Sequence, residues 1–283
     1  MERISLGGSP AHHYTSLEGL TGIVEKDDLW LTNALYSNDE EEIEHGYRIA
    51  RDVVQKEKLD TPANRVYCGH IAEVLKARDL ECYICCFCRK GDLLSQWRGY
   101  GANGVGVDIT VEINQLPALN AVCPYGALYY WKVTYMDGDK QTRIKEAIDY
   151  FRPVSNADEN QSLVRARQAA EAIRFFIPTF KNQSFAEEDE WRIIFVPSPA
   201  HPAGIQAVKP RFRAARNLLI PYHCLSDLVP PVAPPPGKPR IRIREVLVGP
   251  NRHNKLTAES VFTLLAQNGH APVVRHSATP YRG

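Results

Sequence analysis

The amino-acid sequence predicts an α+β fold. Strand-like and helix-like segments follow one another without the regular strand–helix–strand rhythm of a doubly wound sheet. Several apolar runs are short and rich in β-branched and aromatic residues, as strands are. Between them, cap residues mark the starts of longer segments of helical period. With 283 residues, 44% of them hydrophobic, the chain can bury a sizeable core. We read it as one domain over residues 1–283.

AHHYT, from Ala11, reads as a short strand. Thr15-Ser16-Leu17-Glu18 fits a capping box that opens a helix through Leu17, Leu20 and Val24. LWLT, from Leu29, is a second short strand. Ser37 and Glu40 form a further capping box ahead of a helix using Ile43, Tyr47, Ala50 and Val54. Thr61-Pro62 sets a cap and a first-turn proline before a third helix with Val66, Ile71 and Leu75 inward. CYICCFC, GVGVDITV and ALYYWKVTY are strand-like, and helices follow around Ile144–Phe151 and Leu163–Phe176. Then come the strand EEDEWRIIF, the segment NLLIPY and a late central strand IRIREVLVG, before Thr257 caps a last helix through Val261 and Leu265. The proline-rich run Val229–Pro239 is extended and poorly packed, a stiff surface loop between two strands.

The net charge of +1 names no partner, but its distribution is uneven. From Pro197 onward, twelve basic residues minus three acidic ones leave +9, so the rest carries −8. A basic C-terminal third favours phosphate-bearing ligands or nucleic acid. No apolar run approaches membrane-spanning length, and no cleavable signal segment opens the chain. Seven cysteines, four of them within residues 82–88, do not form a secreted disulfide framework. A cytoplasmic protein is expected.

The stretch EEDEWRIIF, Glu187–Phe195, raises the functional question. As a strand it turns Trp191, Ile193 and Phe195 one way and Glu188, Glu190 and Arg192 the other. Such a face is either a polar strand end or the charged mouth of a ligand site. CYICCFC contains a C-x-x-C-x-x-C spacing, but without Gly or Pro it lacks the turn a metal centre needs, so it reads as a packed strand without metal. GANGVGV resembles a phosphate loop only loosely and reads as a turn into a strand. His13 and Thr15 stand two apart on one strand face. Arg240, Arg242 and Arg244 alternate with Ile241 and Ile243. With Lys209, Arg211 and Arg213 they either grip phosphates or form the solvated side of an edge strand. Asp39 and Glu42 could serve a magnesium nuclease, though carboxylates at a helix start already complement the helix dipole.

Taken in order, HHYTS, LWLT, Asn38-Asp39 with Glu42, ICCFC, Trp97 and Tyr100, Gly104-Val105-Gly106, E-D-E-W-R and VLVGP resemble a bacterial domain-of-unknown-function family, number twenty-nine seventy-one. A second resemblance is to ADP-ribosyltransferases. It lies in a first strand with His and Thr, a helix, a short Leu-Trp-Leu strand, and a late strand opening with E-x-E. That resemblance implies a mixed or antiparallel split sheet with flanking helices and NAD as substrate. It implies His13, Thr15 and Arg192 for NAD, one of Tyr36, Trp97 and Tyr100 stacking on nicotinamide, and Glu190 for catalysis assisted by Glu188. The Ser-Thr-Ser element of those enzymes is missing, with Cys86-Phe87-Cys88 in its place. The acceptor would be RNA, DNA or protein, with Arg240, Arg242 and Arg244 binding a nucleic acid, and the biology that of a toxin or phage-defence effector. The alternatives are a non-enzymatic module that binds nucleic acid or protein and, third, the nuclease.

Overall fold

The structure, a computed structural model, describes residues 10–36, 42–111, 123–198, 208–215, 217–229 and 239–280. The Ser37–Glu40 pair, Asp39, the Glu42 side chain and residues 230–238 of the proline-rich run lie outside them. In chain order the elements are β1 (Ala11–Thr15), α1 (Leu17–Lys26), β2 (Trp30–Asn33), α2 (Glu42–Gln55) and α3 (Pro62–Lys76). Next come β3 (Tyr83–Cys88), α4 (Leu94–Gly99), β4 (Val107–Val111), β5 (Gly126–Lys132), α5 (Asp137–Phe151) and α6 (Glu159–Phe176). The chain continues through β6 (Glu190–Pro197), β7 (Arg211–Ala215), β8 (Leu218–Cys224), α7 (Leu225–Leu228), β9 (Ile243–Val248), α8 (Asn254–Gln267) and β10 (Val273–His276).

Local chemistry sets the element ends. Ser16, one residue later than expected, caps α1 by accepting a hydrogen bond from the Gly19 amide at 3.1 Å. Thr61 caps α3 in the same way from Asn64, with Pro62 in the first turn. Asp158 and Gln161 close a reciprocal capping box on α6. The last helix departs from expectation: α8 begins at Asn254, so Thr257 lies inside its first turn rather than capping it.

The fold is α+β, a mixed open sheet with flanking helices. The chain divides into two compact units. Unit 1 (Met1–Asn33, Tyr83–Trp131 and Glu188–Gly283) carries the sheet, in the order β10-β9-β4-β1-β3-β2-β8-β7, with β6 on β3 and β5 on β6. β9 and β10 pair in parallel. β6 pairs with β3 along the whole of β3, from Tyr83–Phe195 to Cys88–Glu190. The other edge of β3 is shared, β2 taking Tyr83 and Ile84 and β1 taking Cys88. The sheet therefore splits at β3, one branch running through β1 and the other through β2.

One face of this sheet is apolar. Ala11, Val107, Ile109, Val111, Cys85, Phe87, Ile193, Phe195, Val246 and Val248 bury against Leu20, Ile23 and Val24 of α1 and Val261 and Leu265 of α8. Each fully buried side chain of this size stabilises by roughly 1.5–3 kcal/mol, so this face carries most of the unit's driving force. Unit 2 (Ala34–Cys82 and Lys132–Glu187) is helical. In it α3 and α5 pack on α6, and α2 packs on α3 and α5. The Tyr67 hydroxyl donates to the Ile148 carbonyl at 2.7 Å. Buried Lys140 donates to Asp137 at 2.8 Å and lies 2.9 Å from the His45 ring.

Candidate functional site

The opposite face of the sheet in unit 1 is polar. Paired residues on neighbouring strands share a face, and the registers line up Thr110 of β4, His12 of β1, Cys88 of β3 and Glu190 of β6 in one row. Asp108 and Tyr14 form the adjacent pair on that face, and Arg192 stands opposite Cys86.

His12 is the most accessible member of the row, with a side chain 17% exposed against 1% for Asp108. Its Nδ1 lies 2.9 Å and 3.2 Å from the two Asp108 oxygens, with the Thr110 hydroxyl at 3.4 Å. A carboxylate only accepts, so Nδ1 carries the proton and Nε2 is the basic nitrogen of the neutral ring. The loop after β3 packs directly on this pair. A Cβ at Gly91 would come within 2.7 Å of the imidazole and 2.9 Å of the Asp108 carboxylate. That loop is itself anchored at Asp92. The Asp92 carboxylate accepts from Trp97 Nε1 at 2.8 Å, the Ala278 amide at 2.8 Å, the Thr279 hydroxyl at 2.9 Å and the Ser277 hydroxyl. Ser277, Trp97, Ala278 and Thr279 hold its carboxyl below the usual range, overcoming the burial that acts first and in the other direction.

Glu190 and Arg192 are both buried, and their side chains form a two-pronged ion pair. Arg192 Nε donates to Oε1 at 2.7 Å and Nη2 to Oε2 at 3.0 Å. Two residues apart on one strand face, they meet as alternation requires. Glu188 is also buried but lies outside the strand. It ends the 3₁₀ turn Gln183–Glu188, and Asp189 follows in the left-handed region at φ 41°. The strand-face reading of Glu188 therefore does not hold.

His13 and Thr15 point the other way, among the apolar residues. His13 packs on Phe87 at 5.5 Å between ring centroids and donates from Nδ1 to the Cys86 carbonyl at 2.9 Å. Burial pulls its pKa below the ordinary histidine value, only partly opposed by that bond and by Asp108. Thr15 abuts α1, where a Cβ at Gly19 would come within 2.0 Å of its hydroxyl. Neither residue shares a face with Glu190. Trp97 is fully buried and packs edge-on to Tyr14, 5.0 Å between centroids, so no face of it stacks on a ligand. Tyr100 packs beside Trp97 on the cluster with Cys88. Tyr36 belongs to unit 2 and is 39% exposed.

The arginine ladder is also corrected. Asp27 accepts from the amides of Arg240 and Ile241, at 2.6 and 2.9 Å, and β9 begins only at Ile243. Arg240 turns to Asp27 and the Lys26 carbonyl, so of the three arginines only Arg244 lies in the strand. β9 is interior, between β4 and β10, as expected for a central strand. Arg211 is clamped on Asp227 at 2.8 and 2.9 Å, and Arg213 donates to the Thr32 hydroxyl at 3.3 Å. Among the described residues no cluster of three metal-ligating side chains occurs, and no helix is long and apolar enough to cross a membrane.

The residues that sequence reasoning missed are His12, Asp108 and Gly91. The alternation in VDITV, with Asp108 and Thr110 between apolar neighbours, was the available signal for a polar face.

Residues 96–193, from α4 into β6, match the family described as Protein of unknown function (DUF2971). No curated protein and no solved structure matches the chain, so these comparisons lend no support to the likeness to ADP-ribosyltransferases.

Proposed function

We propose that this protein is an NAD-dependent ADP-ribosyltransferase acting in the cytoplasm, as a toxin or phage-defence effector, with the His12–Cys88–Glu190 row as its sugar-binding site. The observation that carries the reading is that row: a histidine on the first strand and a glutamate opening a late strand, brought to one face with a single strand between them.

The chemistry suits these side chains. Nicotinamide leaves as a neutral molecule from a cationic N-glycosidic bond, so no general acid is required. The transition state resembles an oxocarbenium ion, which a fixed carboxylate stabilises. Arg192 orients the Glu190 carboxylate from one side. Asp108 fixes the His12 ring, and the basic Nε2 can accept from a second hydroxyl of the ligand. The ligand approaches from the His12 side, where the row is most accessible.

The test is incubation of the full chain with NAD, with and without magnesium, and measurement of free nicotinamide. Release independent of magnesium, and lost in a folded His12→Gln variant, is the expected result. No release with protein, RNA or DNA as acceptor would remove the reading. Magnesium-dependent cleavage of nucleic acid without nicotinamide would favour a nuclease instead.

A further inference from the structure

We infer that Cys88 is an activated thiol, with His12 as its base and Asp108 as the group that orients that base, and that it is modified by uncharged carbon electrophiles. The three residues sit on adjacent strands β3, β1 and β4 and share one sheet face. Directly opposed residues on antiparallel strands bring their Cβ atoms to about 4.5–5.5 Å, which places the Cys88 sulfur within reach of the imidazole. The pinned Nδ1 leaves Nε2 as the basic nitrogen. Nucleophile, base and orienting carboxylate in this sequence are the general recipe for an activated thiol.

The surroundings select Cys88 from among the seven cysteines. Burial pushes the thiols of Cys85 and Cys224 up to about 12, and raises those of Cys68 and Cys123. Cys82 is buried, and Cys86 is the more exposed thiol on the polar face but stands opposite Arg192, not a histidine. The groups facing Cys88 are His12 and Tyr14 of β1, Glu190 of β6, Trp97 of α4, and Asp108 and Asp92 nearby. Glu190 would oppose a thiolate, but its charge is balanced by Arg192 two oxygens deep. Tyr14 is kept protonated, its pKa raised by burial and then by Asp108, Cys88 and Asp92, so it adds no competing negative charge. Cys88 itself is 5% exposed, which disfavours bulky electrophiles.

In the reaction with iodoacetamide, the Cys88 sulfur forms a bond to carbon, the carbon–iodine bond breaks and iodide leaves with its electron pair. The thiol proton passes to His12 Nε2 and then to water. This proposal does not depend on the NAD reading, because the probe contains no nucleotide.

The experiment is limited labelling of the folded full chain with iodoacetamide at several pH values, followed by peptide mass mapping. Exposure alone would label Cys86 and Cys123 first, since both are more accessible than Cys88. The expected result is that Cys88 is labelled first, at a rate that persists to neutral pH. In His12→Gln the Cys88 rate at pH 7 should fall about tenfold or more, and its pH profile should move towards that of an ordinary thiol near pH 8.5. Asp108→Asn should give a smaller shift in the same direction. Melting curves of both variants show whether they are folded, and if His12→Gln is not, the Asp108→Asn profile decides. First labelling at Cys86 or Cys123, no labelling at Cys88, or an unchanged Cys88 profile in the folded variants would overturn the proposal.

Discussion

Two histidines adjacent in the chain end in opposite environments. His12 faces the polar side of β1 and leans on the buried Asp108 carboxylate. His13 faces the apolar side, packed on Phe87, with burial lowering its pKa. One residue step therefore separates a carboxylate-backed imidazole, suited to binding or proton transfer, from an imidazole packed on the apolar face, whose pKa burial lowers. A histidine's role here is decided by strand face rather than by the residue itself.

The sharpest way to probe the polar side is at its far end. Replacing Glu190 by Gln removes the carboxylate that Arg192 grips at 2.7 and 3.0 Å, and breaking a buried ion pair costs about 3–5 kcal/mol. Although glutamine keeps the shape, that single variant should lose a large part of its thermal stability, so it is a poor probe of catalysis alone. The double variant Glu190→Gln with Arg192→Met should recover most of the melting temperature while remaining unable to release nicotinamide. If the single variant melts as the wild type does, the ion pair is not a structural support.

The His12 side of the comparison is tested next by Asp108→Asn. A hydrogen bond to a charged group contributes roughly 1.5–3 kcal/mol. Thermal unfolding should show that loss, and nicotinamide release should fall with it, because the ring is no longer held in one tautomer. An unchanged melting temperature would mean that the contact is not formed in solution.

For His13 the expected effect lies in pH dependence. Its folded-state pKa is below 6.5, so the unfolded chain binds the extra proton first as pH falls. Its contribution is complete above pH 6.5 and is lost as pH drops from there through the folded pKa. His13→Asn keeps a donor for the Cys86 carbonyl but cannot titrate. It should remove up to about 1.4 kcal/mol per pH unit of the slope in that window. His270, also lowered by burial, supplies a remaining slope that the variant leaves in place. A wild-type slope retained in full would place His13 in a wetter setting.

The smallest effect is expected at exposed Arg242 and Arg244. Changing both to Gln should alter stability by under about 0.5 kcal/mol. If the acceptor is a nucleic acid, the salt dependence of its binding should flatten by roughly one unit per lost phosphate contact. With no change in salt slope, these arginines are simply a solvated surface.

Much of this was legible in the residues themselves. AHHYT is β1 to the residue, Thr61-Pro62 opens α3, and the Glu190–Arg192 face follows from strand alternation. What failed did so for identifiable reasons. Glu188 is two residues before Glu190, but a left-handed Asp189 breaks the alternation between them, and no local pattern announces that turn. The arginine ladder looked continuous because Ile241 and Ile243 alternate with it. A carboxylate at the end of α1 takes the amides of Arg240 and Ile241 instead.

By itself the sequence determined the α+β class, the apolar strands that build the core, and the presence of charged side chains at the start of β6. Those depend on local period and composition, which any segment carries wherever it packs. Only the tertiary structure decided that His12 rather than His13 stands in line with Cys88 and Glu190, and that Asp108 backs it. That choice rests on the register between β1, β3, β4 and β6. Because side chains alternate with period two, slipping one strand by a single residue would exchange the two histidines. Nothing within AHHYT distinguishes the two outcomes.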